Sequence, residues 1–141
     1  MGESADRPGR GDRDRELEGS DVADRVLFIS WGANQTGREE RGLEVFNDAL
    51  AYYGRMQEQG RIERFDVVLL SPNGALGGYM ELHGTADQLA TIQEEEEYQR
   101  ILIAAGLIVE DLRAVQGYTG ADLGRQIQMY QEAIAHVPQT G

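Results

Sequence analysis

Cysteine and lysine are both missing from the 141 residues. Without cysteine there is no disulfide, no thiolate nucleophile and no thiolate metal site. A small domain without disulfides fits a reducing, cytoplasmic compartment. Without lysine there is no Schiff-base chemistry and no phosphate-gripping lysine of a P-loop. Long apolar runs are missing too: none approaches the roughly 18 residues that a membrane span needs. The Arg/Asp/Glu-rich start has no apolar stretch, so it does not read as a secretory signal.

Positive charge is scarce. Thirteen arginines face 25 acids, a net charge of −12. Residues 1–24 hold eight acids and four arginines, or −4, and residues 25–141 hold 17 acids and nine arginines, or −8. A folded part at −8 repels nucleic acid and anionic lipid, so neither is expected as a partner. The partners it suits are neutral small molecules, cations, basic proteins or another copy of itself.

Hydrophobic residues make up 40% of the chain, enough for one packed core at this length. Residues 1–24 alternate charges of both signs with glycine and read as a disordered acidic tail. The Arg10-Gly11-Asp12 triplet there is a product of that composition. Residues 25–141 read as a single α+β domain.

Arg25 to Trp31 is β-branched and aromatic, with Val26, Leu27, Phe28 and Ile29 apolar in succession, which predicts a central strand covered on both faces. Glu39 to Gln59 is a helix, with Leu43, Phe46, Leu50 and Tyr53 in one stripe and Val45, Ala49, Tyr52 and Met56 beside it. Ile62 to Leu70 and Tyr79 to His83 are strands joined through Ser71-Pro72-Asn73-Gly74. Ala86 to Ala105 is a second helix, Glu110 to Tyr118 a fourth strand and Asp122 to Val137 a third helix. Thr36, Thr85 and Thr119 each stand three residues before an acid or amide, the spacing of a capping box at each helix start.

The order β-α-β-β-α-β is the split βαβ of a ferredoxin-like, four-stranded antiparallel sheet with a C-terminal helix added. Both faces of that sheet are apolar, and its two helices cover one. The uncovered face needs a second subunit or the third helix, because each large side chain left in water forgoes about 1.5–3 kcal/mol. In this element order and second apolar face, residues 25–118 resemble the dimeric α+β barrel superfamily, which includes antibiotic-biosynthesis-type monooxygenases, muconolactone isomerases and YCII-like proteins. The resemblance implies a homodimer, sheets face to face, with a small-molecule ligand in the cleft between them.

If Met80 and Leu82 face the helices, alternation turns Tyr79, Glu81 and His83 to the cleft. The same parity gives Asp66, Val68 and Leu70 from the second strand and Gln116 and Tyr118 from the fourth; in the first, aliphatic Leu27 and Ile29 suit the helix side, which leaves Phe28 and Ser30 for the cleft. Trp31, at the end of the first strand, is a further candidate for gripping a ligand. His83 is the one candidate general base, with Glu81 or Asp66 to orient it and Tyr118 or Gln116 to steady an oxyanion. Glu81 and His83 alone are too few to hold a metal; a third ligand would have to come from Asp66 or another subunit. No metal and no cofactor is expected. Glu94 to Glu97 reads as a solvated helix surface.

Three functions fit. The first is a dimer binding a small apolar or aromatic molecule in a sheet-lined cleft. The second is a cofactor-independent monooxygenase or isomerase using His83. The third is an interaction module docking a basic partner through the third helix and the tail.

Overall fold

The structure, a computed structural model, describes residues 22–138; the tail and its Arg10-Gly11-Asp12 triplet fall outside that range, apart from the last three tail residues. Asp24, assigned above to the tail, belongs to the fold. It is buried, its carboxylate pairs with Arg25, and its carbonyl accepts from the Thr119 N–H.

The elements run β1 Arg25–Trp31, α1 Glu39–Glu58, β2 Arg64–Leu69, β3 Gly78–Gly84, α2 Ala86–Gln93, α3 Glu96–Gly106, β4 Arg113–Tyr118 and α4 Gly120–Ala135. The sheet is antiparallel in the order β2-β3-β1-β4, as a split βαβ requires. Leu27 and Ile29 of β1 and Met80 and Leu82 of β3 point to the helices, at 0–4% exposure. Against them pack Ala49, Tyr52, Tyr53 and Met56 of α1, Leu89 and Ile92 of α2, and Tyr98 of α3.

The predicted second helix is two helices. Glu94 closes α2, its N–H bonding to the Thr91 carbonyl, and Glu95 in extended backbone opens α3. Four consecutive carboxylates repel one another along a continuous helix, whereas the break leaves Glu95, Glu96 and Glu97 at the start of α3, where they meet the positive end of its dipole. The break also turns Glu95 inward. Its carboxylate accepts from the Tyr52 hydroxyl at 2.7 Å and pairs with Arg61, so this part of the acidic run is structural rather than solvated. Glu97 pairs with Arg55 at 2.7 Å.

Of the three capping boxes one forms. Thr85 Oγ1 accepts from the Gln88 N–H and Gln88 Oε1 accepts from the Thr85 N–H. Thr36 lies too early, because the turn through Gly37 (φ 85°) makes Arg38 the residue before α1. Thr119 does precede α4 but makes no side-chain cap. The acid that would reach back, Asp122, is instead held by Arg25 at 3.2 Å and Arg125 at 2.8 Å.

That ion cluster attaches α4 to the sheet. Past it, Leu123, Ile127 and Tyr130 are 47–68% exposed, so α4 does not cover the second sheet face. Among the described residues no helix is long and apolar enough to cross a membrane.

Candidate functional sites

The face of the sheet turned away from the helices can be read from the register. Asp66 stands opposite Glu81, Val68 opposite Tyr79, and Arg64 opposite His83 on the β2–β3 ladder. On the β1–β3 ladder Val26, Phe28 and Ser30 stand opposite His83, Glu81 and Tyr79. The structure therefore brings Phe28, Ser30, Asp66, Tyr79, Glu81 and His83 to one face, as parity predicted. Phe28 and Tyr79 pack ring against ring, centroids 5.3 Å apart.

Gln116 and Tyr118 are on the wrong side for that group. They stand opposite Leu27 and Arg25, which puts them on the helix side, while Val115 and Gly117 occupy the open face. The chain turns at Asp111, in left-handed backbone (φ 54°), before β4 begins at Arg113. Parity within a strand is readable from sequence; the pairing that sets one strand's parity against its neighbour's is not.

The polar part of the open face is a compact cluster. His83 Nε2 lies 3.1 Å from Glu81 Oε1 and 3.5 Å from Asp66 Oδ2. Arg64 approaches both, with Nη2 at 3.4 Å from His83 Nε2 and Nε at 3.5 Å from Asp66 Oδ2. Arg64 escaped the sequence reading, although its separation of two from Asp66 gives it the same face. The His83 side chain is 12% exposed. The residue that joins Glu81 and His83 as a third possible ligand is thus Asp66 of the same chain.

A second feature lies on the opposite side of the sheet. A cavity of about 360 Å³ opens between the sheet and helices α1 and α3. Ile29, Trp31, Leu69 and Met80 form its floor, Phe46, Ala49 and Tyr53 one wall, and Ile101, Leu102, Ala105 and Leu112 the other. Apart from the Tyr53 hydroxyl and the Trp31 indole N–H, polar side chains enter with Asn34 and Glu39, both exposed. Burial pushes the Tyr53 phenol far above its ordinary range, so it stays neutral in the wall. Trp31 therefore lines a pocket, but this one rather than the open face, and it meets Phe46 edge-on at 6.1 Å. The pocket's sequence signal was the small residues Gly42, Ala49 and Ala105 on facing helices, where larger side chains would fill the gap.

The seat of Trp31 explains the glycine-rich loop. The Gly77 N–H donates to the Trp31 carbonyl, and side chains built on Gly77 or Gly78 would collide with the indole. Asn73 folds the preceding turn. It donates to the Ser71 and Leu76 carbonyls and accepts from the N–H groups of Ala75 and Leu76. The loop is thus an indole seat.

No known protein family's profile matches the chain, and no curated protein does. Among solved structures, it is similar to a dimeric protein of unknown function and ferredoxin-like fold from Bacteroides fragilis. The TM-score is 0.51 at 14% identity, over 67% of this chain and 95% of that one. It is also similar, at a TM-score of 0.45 and 12% identity, to a protein of unknown function from Rhodopseudomonas palustris, over 80% of this chain and 95% of that one. The first likeness establishes a ferredoxin-like α+β fold.

Proposed function

We propose that this chain binds a small apolar or aromatic molecule in the pocket between its sheet and helices α1 and α3, and that it does so as a homodimer joined through the open sheet face. One observation carries the reading: about 360 Å³ of cavity walled almost wholly by aliphatic and aromatic side chains. That volume lies in the range of small-molecule sites, and Asn34 and Glu39 at its edge are the sparse polar groups that would orient an occupant. The ligand site so moves from the open face to the helix side, still lined by the sheet. The homodimer is supported by the dimeric Bacteroides fragilis neighbour and by the apolar side chains of the open face: Val115 of β4, 54% exposed, beside Phe28 and Val26 of β1, with Val68 on the far edge strand.

Trp31 is the chain's one tryptophan, so its emission reports directly on the pocket. Titration with small aromatic and aliphatic probes should shift or quench it. Ala105→Phe, which fills the cavity, should abolish the response while far-UV circular dichroism stays unchanged. A panel of such probes that leaves Trp31 unmoved at millimolar concentration, together with no apolar molecule released on denaturing the purified protein, would sink the proposal.

The reading of a cofactor-independent monooxygenase or isomerase keeps one supporting observation, Glu81 at 3.1 Å from His83 Nε2, where a base would be oriented. It loses its oxyanion donors, since Gln116 and Tyr118 stand on the other side of the sheet.

A further inference from the structure

From the geometry of the open face we infer that Asp66, Glu81 and His83 form a binding site for a divalent first-row transition ion. Three features lead there, all independent of the pocket on the helix side.

The first is ligand type and spacing. One imidazole and two carboxylates supply three donors, and the charge of two carboxylates balances a divalent ion. Donors about 2.1 Å from a metal lie roughly 3.0 Å apart along an octahedral edge and roughly 3.4 Å along a tetrahedral one. The observed Nε2–Oε1 and Nε2–Oδ2 separations are 3.1 and 3.5 Å, and all three ligand atoms lie within 4.8 Å of one another. They come from adjacent positions on two hydrogen-bonded strands, which hold their spacing better than a loop would.

The second is charge. Asp66 and Glu81 are direct cross-strand partners, a placement that is destabilising for like charges. Arg64 lies beside Asp66 and offsets one of the two carboxylates, which leaves the other without a cationic side chain of its own. The rest of that face is mainly Val26, Phe28, Val68, Tyr79 and Val115, with Ser30 and Arg113 at its far end, so two opposed carboxylates serve no packing there.

The third is convergence on a single atom. Glu81, Arg64 and Asp66 all approach His83 Nε2, at 3.1, 3.4 and 3.5 Å. A cation at the centre takes the Nε2 lone pair and both carboxylates together. Arg64 stands on β2, the edge strand, and its side chain, 52% exposed in the single chain, can swing past that edge and leave the cluster to the ion.

Mixed imidazole and carboxylate donors select zinc, iron or manganese over magnesium and calcium. Three protein ligands leave coordination positions for water or a substrate oxygen, the arrangement of a catalytic rather than a structural ion. A metal on Nε2 also excludes His83 as a general base, so the site and the base reading are mutually exclusive.

The test is titration of the full chain with ZnCl2, followed by calorimetry and by NMR of the two imidazoles, His83 and His136. One ion per chain with a dissociation constant below ~10 μM is expected. The His83 ring resonances should shift and those of His136 should not, a readout that needs no variant. His83→Ala and Asp66→Asn should each weaken binding by more than about 10-fold, since loss of a second-shell partner alone costs that much. Arg64→Gln should tighten it. Three results would overturn the inference: binding no tighter than in His83→Ala, a His83 signal indifferent to zinc, or displacement of zinc by equimolar MgCl2, as an unspecific acidic surface would allow.

Discussion

Replacing Gly78 with alanine probes the contact on which the pocket floor depends. Gly78 is buried at the start of β3, facing Leu69 on one side and Trp31 on the other. A Cβ there would stand 2.5 Å from the Val68 carbonyl oxygen, 2.8 Å from Trp31 Cζ2 and 3.2 Å from Leu69 Cδ2. Ordinary contact begins near 3.4 Å, so roughly 0.9 Å of movement is needed against the carbonyl alone. That oxygen belongs to the neighbouring strand's backbone, and the indole is wedged by Phe46, so neither yields cheaply. Overpacking of this kind costs about 1–3 kcal/mol. Alanine returns about 0.4–1 kcal/mol by restricting the unfolded chain. Because a backbone oxygen must move, the upper part of that cost applies, about 2–3 kcal/mol, and the variant should lose roughly 1–2.6 kcal/mol, read as a lower urea midpoint at constant slope. Its Trp31 emission should also shift. Gly54→Ala is the internal control, mid-helix in α1 with nothing within 4 Å of its would-be Cβ, and it should gain about 0.5–1 kcal/mol. An unchanged or raised midpoint for Gly78→Ala, with Gly54→Ala behaving as stated, would refute the account of the indole seat.

Three other outcomes follow from named contacts. Asp122→Ala leaves Arg25 with Asp24 alone in the buried cluster, so it should cost about 1–3 kcal/mol and speed amide exchange across α4 ahead of the sheet. Stability should hold to about pH 9 and fall as pH rises from 10 to 12. Burial pushes the Tyr98 phenol up to about 12 and Tyr53 higher still, so the unfolded chain releases those protons first; Tyr98→Phe should flatten that decline. Val115→Glu, at an exposed position in the single chain, should leave folding within about 0.5 kcal/mol and convert the proposed dimer to monomer by light scattering. A Val115→Glu dimer as tight as the original would place the interface elsewhere.

Alternation made one side of each strand legible. Met80 and Leu82 are buried and Glu81 and His83 are not, because a period of two leaves no other choice once one residue is placed. The helical stripes were legible in part: Tyr52, Tyr53 and Met56 are buried, but Leu43 in the same helix and Leu123, Ile127 and Tyr130 of α4 are 47–68% exposed, because a stripe marks a face and not what covers it. Register was not. Gln116 and Tyr118 read correctly as neighbours on one face of β4, yet the hydrogen-bond pairing with β1 put that face on the helix side, where both stay exposed. Nor were the relations between side chains distant in sequence. Glu95 looked like part of a solvated run until Tyr52 and Arg61 turned it inward, and Asp122 looked like a helix cap until Arg25 claimed it. The pocket was the least legible of all, since it is an unfilled space, and no residue announces a space.

The two candidate sites make opposite demands on what they hold, and the sheet between them keeps those demands apart. On the helix side, Ile29, Leu69, Met80 and their neighbours offer no partner to a charge, so an ion placed there would forgo its hydration without return. On the open face, Asp66 and Glu81 stand directly opposed, so a purely apolar guest there would leave them repelling each other. An occupant of one site is thus the wrong chemistry for the other. The two are connected only through the strands themselves: Ile29 and Met80 point into the pocket, while Phe28 and Glu81, the adjacent residues on the same backbones, point to the cluster. A ligand that moved β3 within the pocket would therefore move two of the three donors, Glu81 and His83, against Asp66 on β2. Zinc affinity measured with and without a saturating pocket probe reads that coupling. Because linkage is reciprocal, the probe's affinity must change by the same factor when zinc is present.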